Sequence, residues 1–111
     1  MREDELTEQR FERASEVISA VSNGKRIGLI KTLLRGECIV GDLALVVGLS
    51  QSATSQHLRI LKLTGILLQR KDAQIRFCRI NPNMVSILER LIRVGEQGGS
   101  SVDQKMARRR P

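Results

Sequence analysis

A chain of 111 residues with 41% hydrophobic residues has the size of one domain with a modest core. Two phenylalanines, no tyrosine and no tryptophan leave too few aromatic rings for base stacking, which argues against RNA or single-stranded DNA as the partner. Two cysteines and one histidine are too few for a disulfide framework or a four-ligand zinc site, so we expect no metal and no cofactor.

The net charge of +7 is unevenly distributed along the chain. Residues 1–16 carry three arginines against six acids, residues 17–94 carry twelve bases against four acids, and residues 95–111 carry four bases against two acids. A basic folded domain indicates a polyanionic partner, most commonly a nucleic acid. No apolar run approaches the roughly 18 residues of a membrane span, so we expect a cytoplasmic, nucleoid-associated protein and no membrane partner.

Apolar periodicity predicts two helices in the first third of the chain. After a frayed terminus at 1–6, a helix over 7–21 has its apolar residues at spacings of three and four. These residues are Phe11, Ala14, Val17, Ile18 and Val21. A second helix runs over 27–34, with Ser22 or Asn23 as its N-cap.

A helix-turn-helix pattern follows the second helix. A short strand at 38–40 leads into a third helix over 43–47, which ends at Gly48. Ser50 is a favourable N-cap for a fourth helix over 51–63. Two helices joined by a short glycine-containing turn are typical of this DNA-binding motif.

The sequence period then changes from that of a helix to that of a strand. Residues 66–71 and 75–80 are short runs rich in β-branched and apolar residues, and they predict a hairpin. Asn81-Pro82 is a strong start signal for a fifth helix, which Gly95 is expected to end. Residues 96–111 are predicted to be a disordered basic tail.

The order of elements over 7–95 predicts a winged helix-turn-helix, mainly α with a small β-hairpin wing. Its fourth helix, over 51–63, has one largely apolar face and one polar face, and it contains no acid. Short donors and acceptors on such a face read base edges in the major groove, whereas an acid would repel phosphate. The residues of this helix expected to contact DNA are Gln51, Ser52, Ser55, Gln56, Arg59 and Lys62.

The hairpin is predicted to be a second DNA contact. Arg70, Lys71 and Arg76 flank its tip and Gln74 lies on its turn, an arrangement that suits the minor groove and its flanking phosphates. A solvated hairpin tip is the alternative. His57 lies on the apolar side of the fourth helix, where we expect it to form a hydrogen bond within the helix-turn-helix.

Two segments carry a resemblance to a known family, GLSQSATSQHL from Gly48 to Leu58 and RKDAQ from Arg70 to Gln74. Over about residues 10–95 the chain resembles the ArsR/SmtB family of bacterial winged-helix repressors. Within that family it is most similar to the branch of NolR and the HlyU/BigR-type regulators. The resemblance implies a homodimer that binds double-stranded operator DNA at an inverted repeat and represses transcription by blocking polymerase.

The family's dimer interface is formed by the first and last helices. Both helices carry more apolar surface in this sequence than one small domain can bury. The residues expected at the interface are Phe11, Ala14, Ile18, Val85, Leu88, Leu91 and Ile92. A two-fold dimer presents two recognition helices about 34 Å apart, which is one turn of DNA.

The chain departs from the sensor sites known in the family. Many members bind metals through thiolates at positions that are Ile39 and Gly41 here, and between Pro82 and Gly95 an alternative metal site would find only Glu89 and no histidine. The redox cysteines of the HlyU/BigR type correspond to positions near Lys31 and Gln97, neither of which is cysteine. We therefore expect neither a metal site nor that redox mechanism.

Strand pairing would place Cys38 and Cys78 side by side in one small sheet. Two small buried hydrophobes are the expected outcome, and a thiol redox-responsive repressor is the alternative. A winged helix that serves as a protein-interaction module is a further alternative, which would need neither an acid-free helix face nor a basic wing. No Gly-rich phosphate loop, carboxylate cluster or catalytic triad is visible, so we expect no enzyme.

Overall fold

Helices and strands follow one another in the order that the sequence predicts. The structure, a computed structural model, describes the backbone of residues 2–109 and the side chains of residues 2–98. The elements are α1 (Glu3–Val21), α2 (Gly24–Leu33), β1 (Cys38–Ile39), α3 (Val40–Val47), α4 (Gln51–Leu63), β2 (Leu67–Asp72), β3 (Ile75–Ile80) and α5 (Val85–Arg109). A short 3₁₀ turn over Pro82–Met84 precedes α5. The predicted class, a mainly α fold with a β-hairpin wing, is confirmed.

Local capping explains where the central helices begin and end. The Asn23 side chain accepts hydrogen bonds from two backbone amides in the first turn of α2, and Ser50 Oγ accepts one from Ala53 at 3.1 Å at the start of α4. Between α3 and α4, Gly48 adopts a left-handed conformation with φ 70°, which an L side chain rarely occupies. Gly48 and Ser50 together produce the tight turn of the helix-turn-helix.

The three strands form one antiparallel sheet in the order β1-β3-β2. Register places Cys38 opposite Cys78, Arg70 opposite Phe77 and Lys71 opposite Arg76. Strands β2 and β3 form the hairpin, whose outer half is exposed, while the inner ends at Leu67 and Ile80 are buried. The hairpin therefore projects from the core as a wing.

The core lies where α2, α3, α4, the sheet and the start of α5 meet. Its largest fully buried hydrophobic side chains are Leu29, Ile30, Leu43, Leu58, Leu61, Ile66, Leu67, Cys78 and Leu88. Burial of this apolar surface is the main stabilising contribution to the fold. By contrast α1 buries only Ala20 and Val21, so most of α1 lies outside the core of one protomer.

The two ends of the predicted domain differ from the structure. Where the sequence predicts a frayed terminus at 1–6, α1 begins at Glu3, and three acids of its first turn complement the helix dipole. Gly95 does not end α5, whose backbone continues to Arg109 through the stretch predicted to be disordered. A glycine inside a helix costs about 1 kcal/mol and need not break it. Residues 110 and 111, and the side chains from 99 onward, lie outside the described residues.

One buried hydroxyl group on α4 has no hydrogen-bond partner among the residues that the structure describes. Thr54 is fully buried on the core side of the helix, and its Oγ1 is unsatisfied. We expect Thr54→Val to raise the free energy of unfolding by about 1 kcal/mol, because valine has the same shape without the desolvated hydroxyl. Thermal or urea unfolding measures the change. The matched control is Thr64→Val, which removes a hydroxyl that bonds the carbonyls of Ile60 and Leu61 and gives no such gain.

Candidate nucleic-acid interface

Helix α4 has two distinct faces. Thr54, Leu58 and Leu61 point into the core, and the helix axis is thereby fixed against α2 and α3. The opposite face is exposed and wholly polar, and it consists of Ser52, Ser55, Gln56, Arg59 and Lys62. The amphipathic pattern of the sequence thus leaves the predicted DNA-reading side chains free to meet a partner.

An open groove runs between α4 and the wing, and we call it the α4–wing groove. Its larger part, of about 610 Å³, is lined by Val40, Ser52, Ser55, Gln56, Arg59, Lys62, Gln69 and Arg76. An adjoining part of about 410 Å³ is lined by Ile39, Val40, Gly41, Gln51, Ser55, Gln74, Ile75 and Arg76. The structure therefore brings eight of the ten predicted DNA-contacting residues to one concave surface.

The charge of the α4–wing groove has one sign. Arg59 and Lys62 contribute two cations from α4, and Arg76 contributes a third from β3. Neither part of the groove is lined by an aspartate or glutamate. A concave surface whose charged side chains are all cations focuses a positive electrostatic potential in the groove, and this potential attracts a polyanion.

The remaining two predicted DNA contacts on the wing lie outside this groove. Lys71 is paired with Arg76 across the hairpin, so the two side chains lie on the same face of the sheet. Arg70 lies on the other face, because side chains alternate along a strand. Its guanidinium binds Glu37 instead, so its assignment as a DNA contact is not supported by the geometry.

The Arg70–Glu37 contact is bidentate. Arg70 Nη2 lies 2.7 Å from Glu37 Oε1, and Arg70 Nε lies 3.1 Å from Glu37 Oε2. These hydrogen bonds lower the pKa of the Glu37 carboxyl below its ordinary value and raise the pKa of Arg70. Both groups are therefore held in their charged forms.

His57 has a structural role, as its position on the apolar side of α4 predicts. Arg26 Nε of α2 donates a hydrogen bond to His57 Nδ1 at 3.2 Å, and Arg26 Nη1 donates to the Ala20 carbonyl at 3.3 Å. One guanidinium thus joins α1, α2 and α4. This arrangement fixes α4 to the body of the domain.

The two cysteines are neighbours in the sheet, as the strand pairing predicts. Cys38 is half-buried and Cys78 is buried, and both are free thiols. Burial raises the pKa of each thiol, which keeps it protonated and poorly reactive. Gln69 Nε2 donates to Cys78 Sγ at 3.4 Å. Within the described part of the chain, no group of three or more potential ligands could hold a metal ion.

The apolar residues of α1 and α5 divide into an exposed set and a buried set. Phe11 is 69% exposed, Ile18 is 61% exposed and Ala14 is exposed beside them, as a dimer face requires. Leu91 is exposed on α5. In contrast, Leu88, Ile92 and the half-buried Val85 pack against the core of the same protomer, which leaves them less surface for a partner than Phe11, Ile18 and Leu91 have.

The exposed apolar face of α5 contains two residues that the sequence prediction omitted. Ile87 and Val94 lie on the same side of the helix as Leu91, because spacings of four and three return to one face. Their spacing was visible in the sequence. Among the described helices, none is long and apolar enough to cross a membrane.

Sequence comparisons place this geometry in a known family. The model of bacterial regulatory proteins of the arsR family matches residues 23–67. The nodulation protein NolR of Rhizobium meliloti is 37% identical over 93 residues, which are 83% of this chain and 76% of NolR. The chain belongs to the ArsR family. The transcriptional activator HlyU of Vibrio cholerae is 35% identical over 88 residues, covering 76% of this chain and 82% of HlyU, so the predicted branch is confirmed.

Solved structures agree with this ArsR-family assignment. The crystal structure of NolR from Sinorhizobium fredii superposes with a TM-score of 0.72 at 35% identity, covering 85% of this chain and 93% of that chain. A homodimeric winged helix-turn-helix DNA-binding domain from Mycobacterium bovis gives a TM-score of 0.78 at 20% identity, over 88% and 90% of the two chains. This second likeness shows the fold alone. The matching family model describes regulatory proteins, and HlyU is named a transcriptional activator.

Lys31 and Gln97, the positions that the resemblance matches to redox cysteines, have no thiol in this ArsR-family chain. Lys31 Nζ of α2 lies 2.7 Å from Glu96 Oε1 of α5, next to Gln97. An exposed ion pair therefore joins α2 and α5 beside these two positions. The metal-thiolate positions are Ile39 and Gly41, whose side chains offer no ligand, so the residues present do not fit a metal there.

Proposed function

We propose that the protein is a homodimeric, sequence-specific transcriptional repressor that binds an inverted-repeat operator and blocks polymerase. The observation that carries the proposal is the α4–wing groove, which collects hydrogen-bonding and cationic side chains and no acid. Binding to chromosomal DNA gives it a cytoplasmic, nucleoid-associated location. Relatives carry names of both kinds, the activator HlyU and a biofilm growth-associated repressor. Repression by this chain requires that its operator overlap the promoter, where the bound dimer blocks polymerase.

Each wall of the groove has its own task in this proposal. Gln56 has the amide geometry for bidentate pairing with adenine, and Ser52 and Ser55 are short enough for close approach to base edges. Arg59 and Lys62 lie farther along α4, where a helix leaving the major groove meets backbone phosphates. Arg76 on the wing supplies a cation for the neighbouring minor groove and its phosphates.

Two copies are needed for an inverted repeat. The exposed apolar residues of α1 and α5 form a surface that a second copy of the chain covers, with Phe11 and Ile18 on one helix and Ile87, Leu91 and Val94 on the other. A two-fold axis through this surface makes the interface self-complementary. It also presents two α4 helices to successive major grooves, about 34 Å apart.

The salt dependence of binding separates this function from a protein-interaction module. We expect affinity for a short duplex of random sequence to fall by about a thousandfold between about 50 and about 200 mM salt, because each neutralised phosphate releases counterions. Fluorescence anisotropy with a labelled duplex measures the slope. No duplex binding at low salt, or binding without a salt slope, would contradict the proposal and favour a protein partner.

A thiol redox response is a second candidate because Cys38 and Cys78 are cross-strand neighbours. The raised pKa of both thiols argues against it, so we expect equal DNA affinity in dithiothreitol and in oxidised glutathione. Peptide mapping after oxidation detects any Cys38–Cys78 disulfide. Loss of affinity on oxidation in the native chain, but not in Cys38→Ser, would establish the redox response instead.

A further inference from the structure

The side of the wing that faces away from the α4–wing groove carries a cluster of three side chains. Arg70 makes its two hydrogen bonds to Glu37 at 2.7 and 3.1 Å. The guanidinium carbon of Arg70 also lies 4.1 Å from the centroid of the Phe77 ring, in a cation–π contact. We call Glu37, Arg70 and Phe77 the wing clasp.

The wing clasp spans the whole sheet. Arg70 is on β2, Phe77 is opposite it on β3, and Ile39 of β1 is opposite Phe77. Glu37 immediately precedes β1, and β1 runs without a break into α3, the first helix of the helix-turn-helix. The clasp therefore connects the outermost strand of the wing to the segment that enters the DNA-reading motif.

Apart from the wing clasp and the pairing of β2 with β3, few contacts hold the outer half of the hairpin in place. Strand β1 has only two residues, and β2 is an edge strand that pairs with β3 alone. From Arg70 to Arg76 the hairpin is exposed, and two of the residues that line the groove, Gln74 and Arg76, lie in that part. Because Gln74 and Arg76 line the groove from the outer hairpin, the position of the outer hairpin relative to α4 sets the width of the groove.

We propose that Glu37 and Arg70 are positioning residues that hold the wing at the angle at which Arg76 meets DNA. The inference rests on the proposed function, because it assigns the clasp a task in DNA binding. Arg70 acts through Arg76 and Lys71 and contacts no phosphate. Glu37, an acid in a protein that binds a polyanion, contributes to affinity by engaging Arg70.

The decisive variant is Glu37→Gln, because two accounts of Arg70 predict opposite signs. Removal of a carboxylate and release of an arginine near DNA would tighten binding if Arg70 were a phosphate contact. The wing clasp predicts weaker binding, by about threefold for each wing and so by about tenfold for a dimer. The slope of log affinity against log salt stays unchanged, since every DNA-facing cation is retained.

The matched control is Asp72→Asn, which removes an acid from the same hairpin. Asp72 is exposed on β2 and forms no ion pair among the described residues, so its replacement leaves affinity unchanged or raises it. Thermal unfolding and circular dichroism of each variant confirm that the fold is intact. A defect in stability without a change in affinity would mean that the clasp is structural only, and would overturn the proposal.

Charge reversal completes the test on the random duplex. Glu37→Arg and Arg70→Glu each weaken binding, and the double variant regains most of the affinity because the pair is restored in the opposite sense. A double variant weaker than both single variants, or tighter binding by Glu37→Gln, would overturn the clasp and leave the repressor proposal standing. Failure of the unmodified protein to bind duplex DNA would overturn both.

Discussion

Replacing Phe11 and Ile87 together by glutamate is expected to convert the dimer into a monomer and to lower affinity for an inverted repeat by about a hundredfold or more. The two side chains are 69% and 55% exposed on α1 and α5, so the protomer itself does not need them for its core. Burial of two carboxylates in an apolar interface is unfavourable unless they find partners. A monomer binds one half-site only. It loses the gain in affinity that arises in a dimer because binding of one half-site holds the second protomer close to the other half-site.

Sedimentation velocity measures the oligomeric state of this variant, and anisotropy measures its DNA affinity. The control for the oligomeric state is Leu45→Glu, which places the same charge at a side chain that is 82% exposed on α3, away from the α1 and α5 surface. The control remains dimeric. A Phe11→Glu, Ile87→Glu variant that sediments as a dimer would place the interface elsewhere on the chain.

The second large effect is a difference between two substitutions in the α4–wing groove. Gln56→Ala is expected to weaken binding to the specific operator by about 1–3 kcal/mol for each half-site in which it removes a bidentate pairing with a base, and to change affinity for a scrambled duplex much less. Arg76→Ala is expected to weaken binding to both duplexes alike. Arg76→Ala also makes the slope of log affinity against log salt shallower by about one unit for each phosphate that is no longer neutralised.

Titrations of both variants against both duplexes, at several salt concentrations, distinguish base reading from phosphate binding. Gln56 and Arg76 line the same groove from opposite walls, so each variant is the control for the other. If Gln56→Ala weakened binding to the scrambled duplex as much as to the operator, α4 would not be oriented with Gln56 toward the bases.

The helix-turn-helix was predictable because its signals are local. Asn23, Gly48 and Ser50 cap or end helices through bonds and backbone angles that involve only nearby residues. The structure uses Gly48 and Ser50 as predicted, and Asn23 is the cap of α2 out of the two candidates. The polar face of α4 followed from the helical period alone. The apposition of Cys38 and Cys78 followed from the expected pairing of the short strand with the wing.

The differences between prediction and structure concern choices that local signals do not decide. The apolar stripe of α5 is wide enough to serve both the core and an exposed apolar face. Packing against α2 places Leu88 and Ile92 in the core, while Leu91 faces outward. Gly95 resembles a helix stop, although the backbone of α5 passes through it. Arg70 was assigned to DNA by its charge and its place in the hairpin, but its partner Glu37 lies 33 positions away in sequence.

The most direct test of the central claim is a selection of genomic fragments by the purified full chain at physiological salt with reductant present. The α4–wing groove and a two-fold dimer predict recovery of one short inverted repeat, with half-site centres about 10 base pairs apart. Mutation of either half-site should then abolish tight binding. Recovery of fragments without any shared sequence, in reducing and in oxidising buffer alike, would contradict a sequence-specific repressor.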